Sequence, residues 1–256
     1  MKVIAILQAR CNSSRLPNKV LKPILGKPMI QWQVERLSQC KSIDKLIIAT
    51  SEEDSDLPLV QLGNKLGISV HRGSLNNVLD RFYQVATLTK PDFIVRLTGD
   101  CPLIDPTIVD DTVNFMVTGD FDYVSNSIVP TFPDGLDVEV FSFDTMKEIY
   151  INAKLSSEKE HVTLFVANNK DKFKIGVFKN SIDLSDHRWT VDEQDDFDLV
   201  TAIFEGLAQM NGNFLMNDVL EFLEINPHLR NLNNNFQRNE GLLKSLGKAN
   251  IIITKN

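Results

Sequence analysis

Three cysteines are all that the 256 residues contain, and Cys11, Cys40 and Cys101 stand far apart with no paired Cys or His pattern around them. An odd, scattered set of this kind suggests neither a disulfide framework nor a zinc site, and fits a reducing compartment. A cationic excess is missing too: 27 Lys and Arg stand against 34 Asp and Glu, a net charge of −7. That balance offers no broad basic face to nucleic acid or to an anionic membrane, so any phosphate must be met by a local cluster. No apolar run approaches the roughly 20 residues of a membrane helix. Residues 1–7 are too short for the apolar part of a secretory signal and run into Gln8 and Arg10 without a small-residue cleavage site. The chain is therefore expected to be cytoplasmic. Two phosphate signatures are absent as well: neither Gly-x4-Gly-Lys-Ser/Thr nor Gly-x-Gly-x-x-Gly occurs. P-loop ATPase and dehydrogenase readings lose their main support.

What the chain does have is a 43% hydrophobic content against 24% charged, enough for one large domain with a buried core. Residues 3–7, 46–49 and 93–97 are short runs rich in β-branched residues and read as buried parallel strands. Between them, 29–40, 57–66 and 77–88 carry apolar residues at helical spacing. Strand and helix alternate, which predicts an α/β fold: a three-layer, doubly wound, mostly parallel sheet with ligands beyond the carboxyl ends of its strands. The second half reads as mixed, with strands at 122–126, 137–143 and 173–178 and helices at 142–153 and 158–168. Helices at 193–210 and 216–225 follow, then an Asn-rich break at 231–235 and a candidate terminal strand at 251–253. The expected organisation is one domain over 1–228, divided into halves 1–120 and 121–228, with a tail over 229–256.

The first strand empties into Gln8-Ala9-Arg10-Cys11-Asn12-Ser13-Ser14-Arg15-Leu16-Pro17-Asn18-Lys19. Backbone N–H groups of an irregular turn form an anion nest, Ser13 and Ser14 add donors, and Arg10, Arg15 and Lys19 can neutralise a triphosphate. A solvated, charged surface loop is the alternative.

This run, with Lys19-Val20-Leu21 and Gly26-Lys27-Pro28-Met29, resembles the amino-terminal signature of the cytidylyltransferases that activate Kdo and sialic acids, above all the spore-coat-polysaccharide branch. The resemblance continues through Arg72-Gly73-Ser74, Val78-Leu79-Asp80-Arg81 and Arg96-Leu97-Thr98-Gly99-Asp100-Cys101-Pro102. Phe132-Pro133-Asp134-Gly135-Leu136-Asp137-Val138-Glu139 and Glu160-His161-Val162-Thr163 extend it over roughly residues 1–200. It implies a nucleotide-diphospho-sugar transferase-like, Rossmann-like fold, CTP and Mg²⁺, and a homodimer. The nucleotide would lie on the first half, with Arg72, Gly73, Ser74, Asp80 and Arg81 around the base and Gln8, Ala9, Thr98 and Gly99 beside it. Two residues depart from the pattern. Asn18 stands where a Gly is common, and Asn tolerates a left-handed turn best among the other residues. Asn77 stands where an acidic residue is common.

Asp100 follows the strand 93–97, where a hard cation bridging phosphates needs an oxygen ligand. The resemblance maps Asp192 to a second metal-binding aspartate, although an Asp just before the helix 193–210 is equally a helix N-cap. In the second half, Asp134 sits in a turn, and Asp137 and Glu139 alternate along the strand 137–143, facing one side. With Glu160 and His161 they are candidates for acceptor hydroxyl or amino groups, and Arg188 for its carboxylate or phosphate. An exposed strand face and a helix-surface histidine are the plainer alternatives. The implied acceptor is a 3-deoxy-ulosonic or nonulosonic acid, or else a phosphorylated small molecule. Asp120-Phe121-Asp122 and Asp196-Phe197-Asp198 leave open a nucleotide-sugar glycosyltransferase, though both read first as solvated surface or helix residues.

Overall fold

A computed structural model describes residues 1–236 and 238. The first half builds β1 (Val3–Gln8), α1 (Met29–Leu37), β4 (Lys45–Ser51), α2 (Leu57–Leu66), β5 (Ser69–Gly73), α3 (Val78–Thr89), β6 (Phe93–Thr98) and α4 (Pro106–Thr118), with a small ribbon of β2 (Pro23–Ile24) and β3 (Lys27–Pro28) before α1. β7 (Tyr123–Ser125), β8 (Glu139–Ser142), α5 (Phe143–Asn152), α6 (Ser156–Glu160), α7 (Leu164–Asn168), β9 (Ile175–Val177), α8 (Gln194–Gly206) and α9 (Met216–Ile225) follow.

Among the described residues the sheet has seven strands in the order β5-β4-β1-β6-β8-β7-β9. β8 runs antiparallel to β6 and β7 on either side, while the other pairings are parallel. Alternate side chains of β1 enter opposite cores. Val3, Ala5 and Leu7 pack with Trp32, Val109 and Phe204 on one face, and Ile4 and Ile6 with Phe82, Val85 and Met146 on the other. Three layers are thus built on a sheet whose central strands are apolar on both faces. From β1 the chain moves outward to β4 in one direction and later to β6 in the other, so the mouths of β1 and β6 form the crevice where the order reverses.

Several boundaries differ from expectation. The helix 158–168 is broken into α6 and α7 by a turn in which Val162 takes a φ of 38°, and α1 ends at Leu37 rather than residue 40. The strand 137–143 begins only at Glu139, because Val138 and Asn126 exchange hydrogen bonds that hold the preceding segment off the ladder. α8 ends at Gly206, followed by a 3-10 turn over Ala208–Met210. The candidate strand 251–253 lies outside the described residues.

Candidate active site

The loop leaving β1 is anchored from below by Asp56. This buried carboxylate accepts from the Cys11 N–H at 2.7 Å and the Ser51 N–H at 3.1 Å, tying the mouths of β1 and β4 together. Burial drives its pKa up, but bonds from Ser51 and Cys11 outweigh that and hold it below the usual range. Asn18 adopts φ 57°, ψ 21°, the left-handed conformation expected of it, and so delivers Lys19 into the site.

Buried Lys19 is the junction of the site. Its ammonium donates to Asp100 Oδ2 at 3.1 Å, Asp192 Oδ1 at 2.8 Å and the Val191 carbonyl at 2.7 Å. Arg15 reaches Asp192 at 2.7 Å and Glu193 at 3.4 Å. Backbone contacts make this convergence possible: Val191 N–H donates to the Asp100 carbonyl at 2.8 Å, and Gly99 N–H to the Gln8 carbonyl at 2.8 Å. Gly99 leaves no space for a side chain, since a Cβ would meet Ala9 Cβ at 2.8 Å. Burial raises the Asp100 carboxyl, but the Lys19 charge and bonds from Thr98 and Lys19 hold it at about 2. Lys19 loses charge stability through burial and regains more from the two aspartates, so its pKa lies above the ordinary lysine value.

The N-cap alternative for Asp192 does not hold. Glu193 is the N-cap of α8, and it is Asp196 that accepts from Asp192 N–H at 2.9 Å and Glu193 N–H at 3.0 Å. The Asp192 side chain is left for Lys19, Arg15 and Arg188. Asp196, read from sequence as a solvated surface or helix residue, lies in the first turn of α8 but is fully buried, and takes two bonds from Arg188 at 2.9 and 3.0 Å and one from Asn233 at 2.8 Å.

Beside this junction lies a cavity of about 530 Å³. Arg15, Thr98, Asp100 and Asp192 line it together with Asp134, Asp137, Arg188, Glu139 and His161 and with the apolar Leu164 and Val166. Arg188 is divided among Asp134 at 3.1 Å, Asp192 at 3.4 Å and Asp196, which lifts its already high pKa further. Gly135, at φ 106°, permits the turn carrying Asp134 to lie against Trp189 and Thr190, where a Cβ would meet Thr190 N at 2.5 Å. Asp137 precedes β8 rather than belonging to it, yet shares the cavity with Glu139. Burial pushes the Asp137 carboxyl up to about 7, against the opposing Arg238 charge and with help from Asp134 and Glu139. Glu139 is held low despite burial, because Arg96, Thr163 and Tyr123 all bond to it. His161 is pushed below the usual imidazole value by burial, and its Nε2 is buried without a hydrogen-bond partner among the described residues. Glu160 is exposed and does not line the cavity.

The residues expected around a base are split. Arg81 is buried and donates to the Ala49 carbonyl at 3.3 Å, its pKa lowered to about 10 by burial and by Arg10. Gly73 lies directly under it: a Cβ there would meet Arg81 Cγ at 2.8 Å. Asp80, one residue along α3, points elsewhere and accepts from Tyr150 at 3.0 Å and Gln84 at 2.5 Å. Arg72 donates to the carbonyls of Ser51, Glu52 and Glu53 and clamps that loop. Asn77 caps α3 by accepting from Asp80 N–H at 3.0 Å, which accounts for an amide in that position. Arg10, Ser14 and Ser74 are exposed, and the Ser13 hydroxyl accepts from Leu16 N–H at 3.4 Å.

A cytidylyltransferase family profile matches residues 4–222. The chain belongs to the cytidylyltransferase family. It is 31% identical over 234 residues to the spore coat polysaccharide biosynthesis protein SpsF of Bacillus subtilis, covering 88% of this chain and 95% of that one. A solved cytidylyltransferase from Leptospira borgpetersenii superposes with a TM-score of 0.86 at 32% identity, over 90% of this chain and 97% of that one. A CMP:2-keto-3-deoxy-manno-octonic acid synthetase complexed with CTP shares the fold, with a TM-score of 0.63 at 19% identity, over 80% of this chain and 99% of that one. The cytidylyltransferase is thus a nucleotidyltransferase with a Rossmann-like sheet, and no described helix is long and apolar enough to cross a membrane.

Fit to a divalent ion follows from the donor set. Asp100 and Asp192 offer hard carboxylate oxygens that meet at one cation, the ammonium of Lys19. Among the described residues no cluster of three or more His, Cys, Asp or Glu forms a closed cage. Two carboxylates completed by water and substrate phosphate are what Mg²⁺ ordinarily uses, so the residues fit such an ion. Sequence reading missed Arg96, Tyr123, Thr163, Asn233 and Arg238. Arg96 carried a signal, a lone charge inside the apolar run of β6.

Proposed function

We propose that this cytidylyltransferase couples CTP, with Mg²⁺, to a small anionic acceptor, a 3-deoxy-ulosonic or nonulosonic acid. It releases pyrophosphate and forms a CMP-activated acid for surface polysaccharide or glycan synthesis. The observation that carries this reading is the meeting of Lys19 with Asp100 and Asp192 at the mouth of the β1/β6 crevice. Asp100 and Asp192 would hold the ion, which supplies charge neutralisation at the phosphates and acidifies an acceptor hydroxyl. Arg10, exposed at the loop, and Arg15 and Lys19 beside the aspartates take the triphosphate and the charge that develops at the α-phosphorus. Backbone N–H groups of residues 9–15 orient it. The acceptor lies in the adjoining cavity, with Asp134, Asp137 and His161 contacting its hydroxyl groups. The same reading carries a homodimer working in the cytoplasm, to be measured by light scattering. Pyrophosphate release measured with each of the four NTPs across a panel of sugar acids and phosphorylated sugars tests the assignment. Turnover with CTP and a sugar acid is the expected result; release only with a phosphorylated acceptor, or with none, defeats it.

A further inference from the structure

The cavity beside the Lys19 junction draws its lining from four successive strands. Arg96 and Thr98 come from β6, Glu139 from β8, Tyr123 from β7 and Ile175 from β9, in their order across the sheet. Neighbouring strands stand about 4.8 Å apart, so β9 lies roughly 14 Å sideways from β6. Asp100 follows β6, and Lys19 joins it to Asp192. Lys170 opens the turn Lys170–Lys172 that leads from α7 toward β9, and Phe173, just beyond that turn, packs on Phe165 of α7. The cavity therefore has two ends, the aspartate pair and the corner between α7 and β9.

Their chemistry differs. Leu164, Val166 and Ala167 of α7 and Ile175 of β9 give the corner an apolar wall, and Lys170 lines the cavity there with its side chain exposed. The other cations of the lining are engaged: Arg15 with Asp192 and Glu193, Arg96 with Glu139, and Arg188 with three aspartates. Lys170 has no carboxylate partner among the described residues. An ammonium donates three hydrogen bonds and accepts none, so the corner joins an apolar surface to a donor that needs oxygen. In a ulosonic acid the attacking hydroxyl and the carboxylate share one carbon, and both stay at the aspartate end. Only groups across the ring reach the corner. Hydroxyls alone would lose water against the apolar wall. An acylamino group matches both halves, with its alkyl end on Leu164, Val166 and Ile175 and its carbonyl accepting from Lys170.

We propose that the corner between α7 and β9 is a subsite for an acylamino substituent across the ring from the reacting carbon, with Lys170 as its specificity-determining residue. This rests on the acid-activating function above and narrows its substrate class to acylamino nonulosonic acids. The test uses N-acetylneuraminic acid, its analogue with a hydroxyl in place of the acetamido group, and 3-deoxy-octulosonic acid. Each is given to wild type, Lys170→Ala and Lys170→Arg. Pyrophosphate release yields kcat/KM for each acid and KM for CTP, and calorimetry in EDTA yields binding of each acid to CTP-loaded protein. Wild type should prefer the acetamido acid to its hydroxyl analogue by about 10-fold or more, and Lys170→Ala should remove most of that preference. The hydroxyl analogue and KM for CTP should change little, and Lys170→Arg should keep much of the preference. Turnover without that preference, a preference that survives in the Ala variant, or turnover of 3-deoxy-octulosonic acid alone overturns the proposal and leaves acid activation standing. Turnover of none of the three acids defeats the function; acetamido-selective binding that the Ala variant loses then still supports the subsite, whereas unselective or absent binding overturns both.

Discussion

Replacing Lys19 by Ala separates the electrostatic account of the site from a purely steric one. The ammonium holds Asp100 and Asp192 at 3.1 and 2.8 Å. Without it the two carboxylates face one another at no more than about 6 Å, where like charges at an effective dielectric of about 20 repel by roughly 3 kcal/mol. Arg15 remains on Asp192 and water reaches both groups, so a net loss of about 2 kcal/mol is the working figure. For a chain of this size that lowers the thermal midpoint by roughly 5 °C. A divalent ion restores the missing charge, so millimolar Mg²⁺ without nucleotide should return most of the midpoint in the variant and move the wild type much less. Scanning fluorimetry with and without Mg²⁺ reads this directly, and pyrophosphate release should fall about 100-fold or more. A variant with the wild-type midpoint and no selective response to Mg²⁺ would refute the reasoning.

Asp100→Asn probes the same balance from the acid side. A carboxyl held at about 2 stays ionised in the native state where the unfolded chain has begun to take up protons. Its contribution, about 2 kcal/mol at most, is therefore present above the ordinary carboxylate pKa near 4 and is lost as pH falls toward 2. Urea denaturation between pH 2 and 5 should show a flatter acid limb in the variant; an unchanged slope contradicts the assignment. Asn77→Ala removes the cap on α3 and should cost about 1 kcal/mol in urea unfolding while leaving acceptor KM as it was. A large rise in acceptor KM would place Asn77 in the site instead.

The central strands were legible because a buried parallel sheet leaves no alternative to continuous apolar runs, as in Val3–Leu7. Asn18 was legible for a local steric reason, since a left-handed turn restricts the residue. Asp192 was legible only through the resemblance, because helix caps and metal ligands draw on the same amino acid; the structure removes the cap reading by placing Glu193 at the N-cap of α8. Asp196 was placed on a helix or on solvated surface; it is in α8, but acidic triplets look alike until burial is known, and it is buried. Arg238 left no trace in the sequence: its partner Asp137 lies 101 positions away, and nothing local to either announces the pair. Asp80 and Arg81 were read together as neighbours in sequence, but successive helical residues diverge by about 100° and these two face different elements.

The most direct measurement is a crystal structure of the protein with CTP and Mn²⁺ in place of Mg²⁺, located by its anomalous signal. The account predicts the metal between Asp100 and Asp192, with Lys19 moved onto phosphate and the triphosphate over residues 10–19. Metal and phosphates found away from that loop and those two aspartates would contradict it.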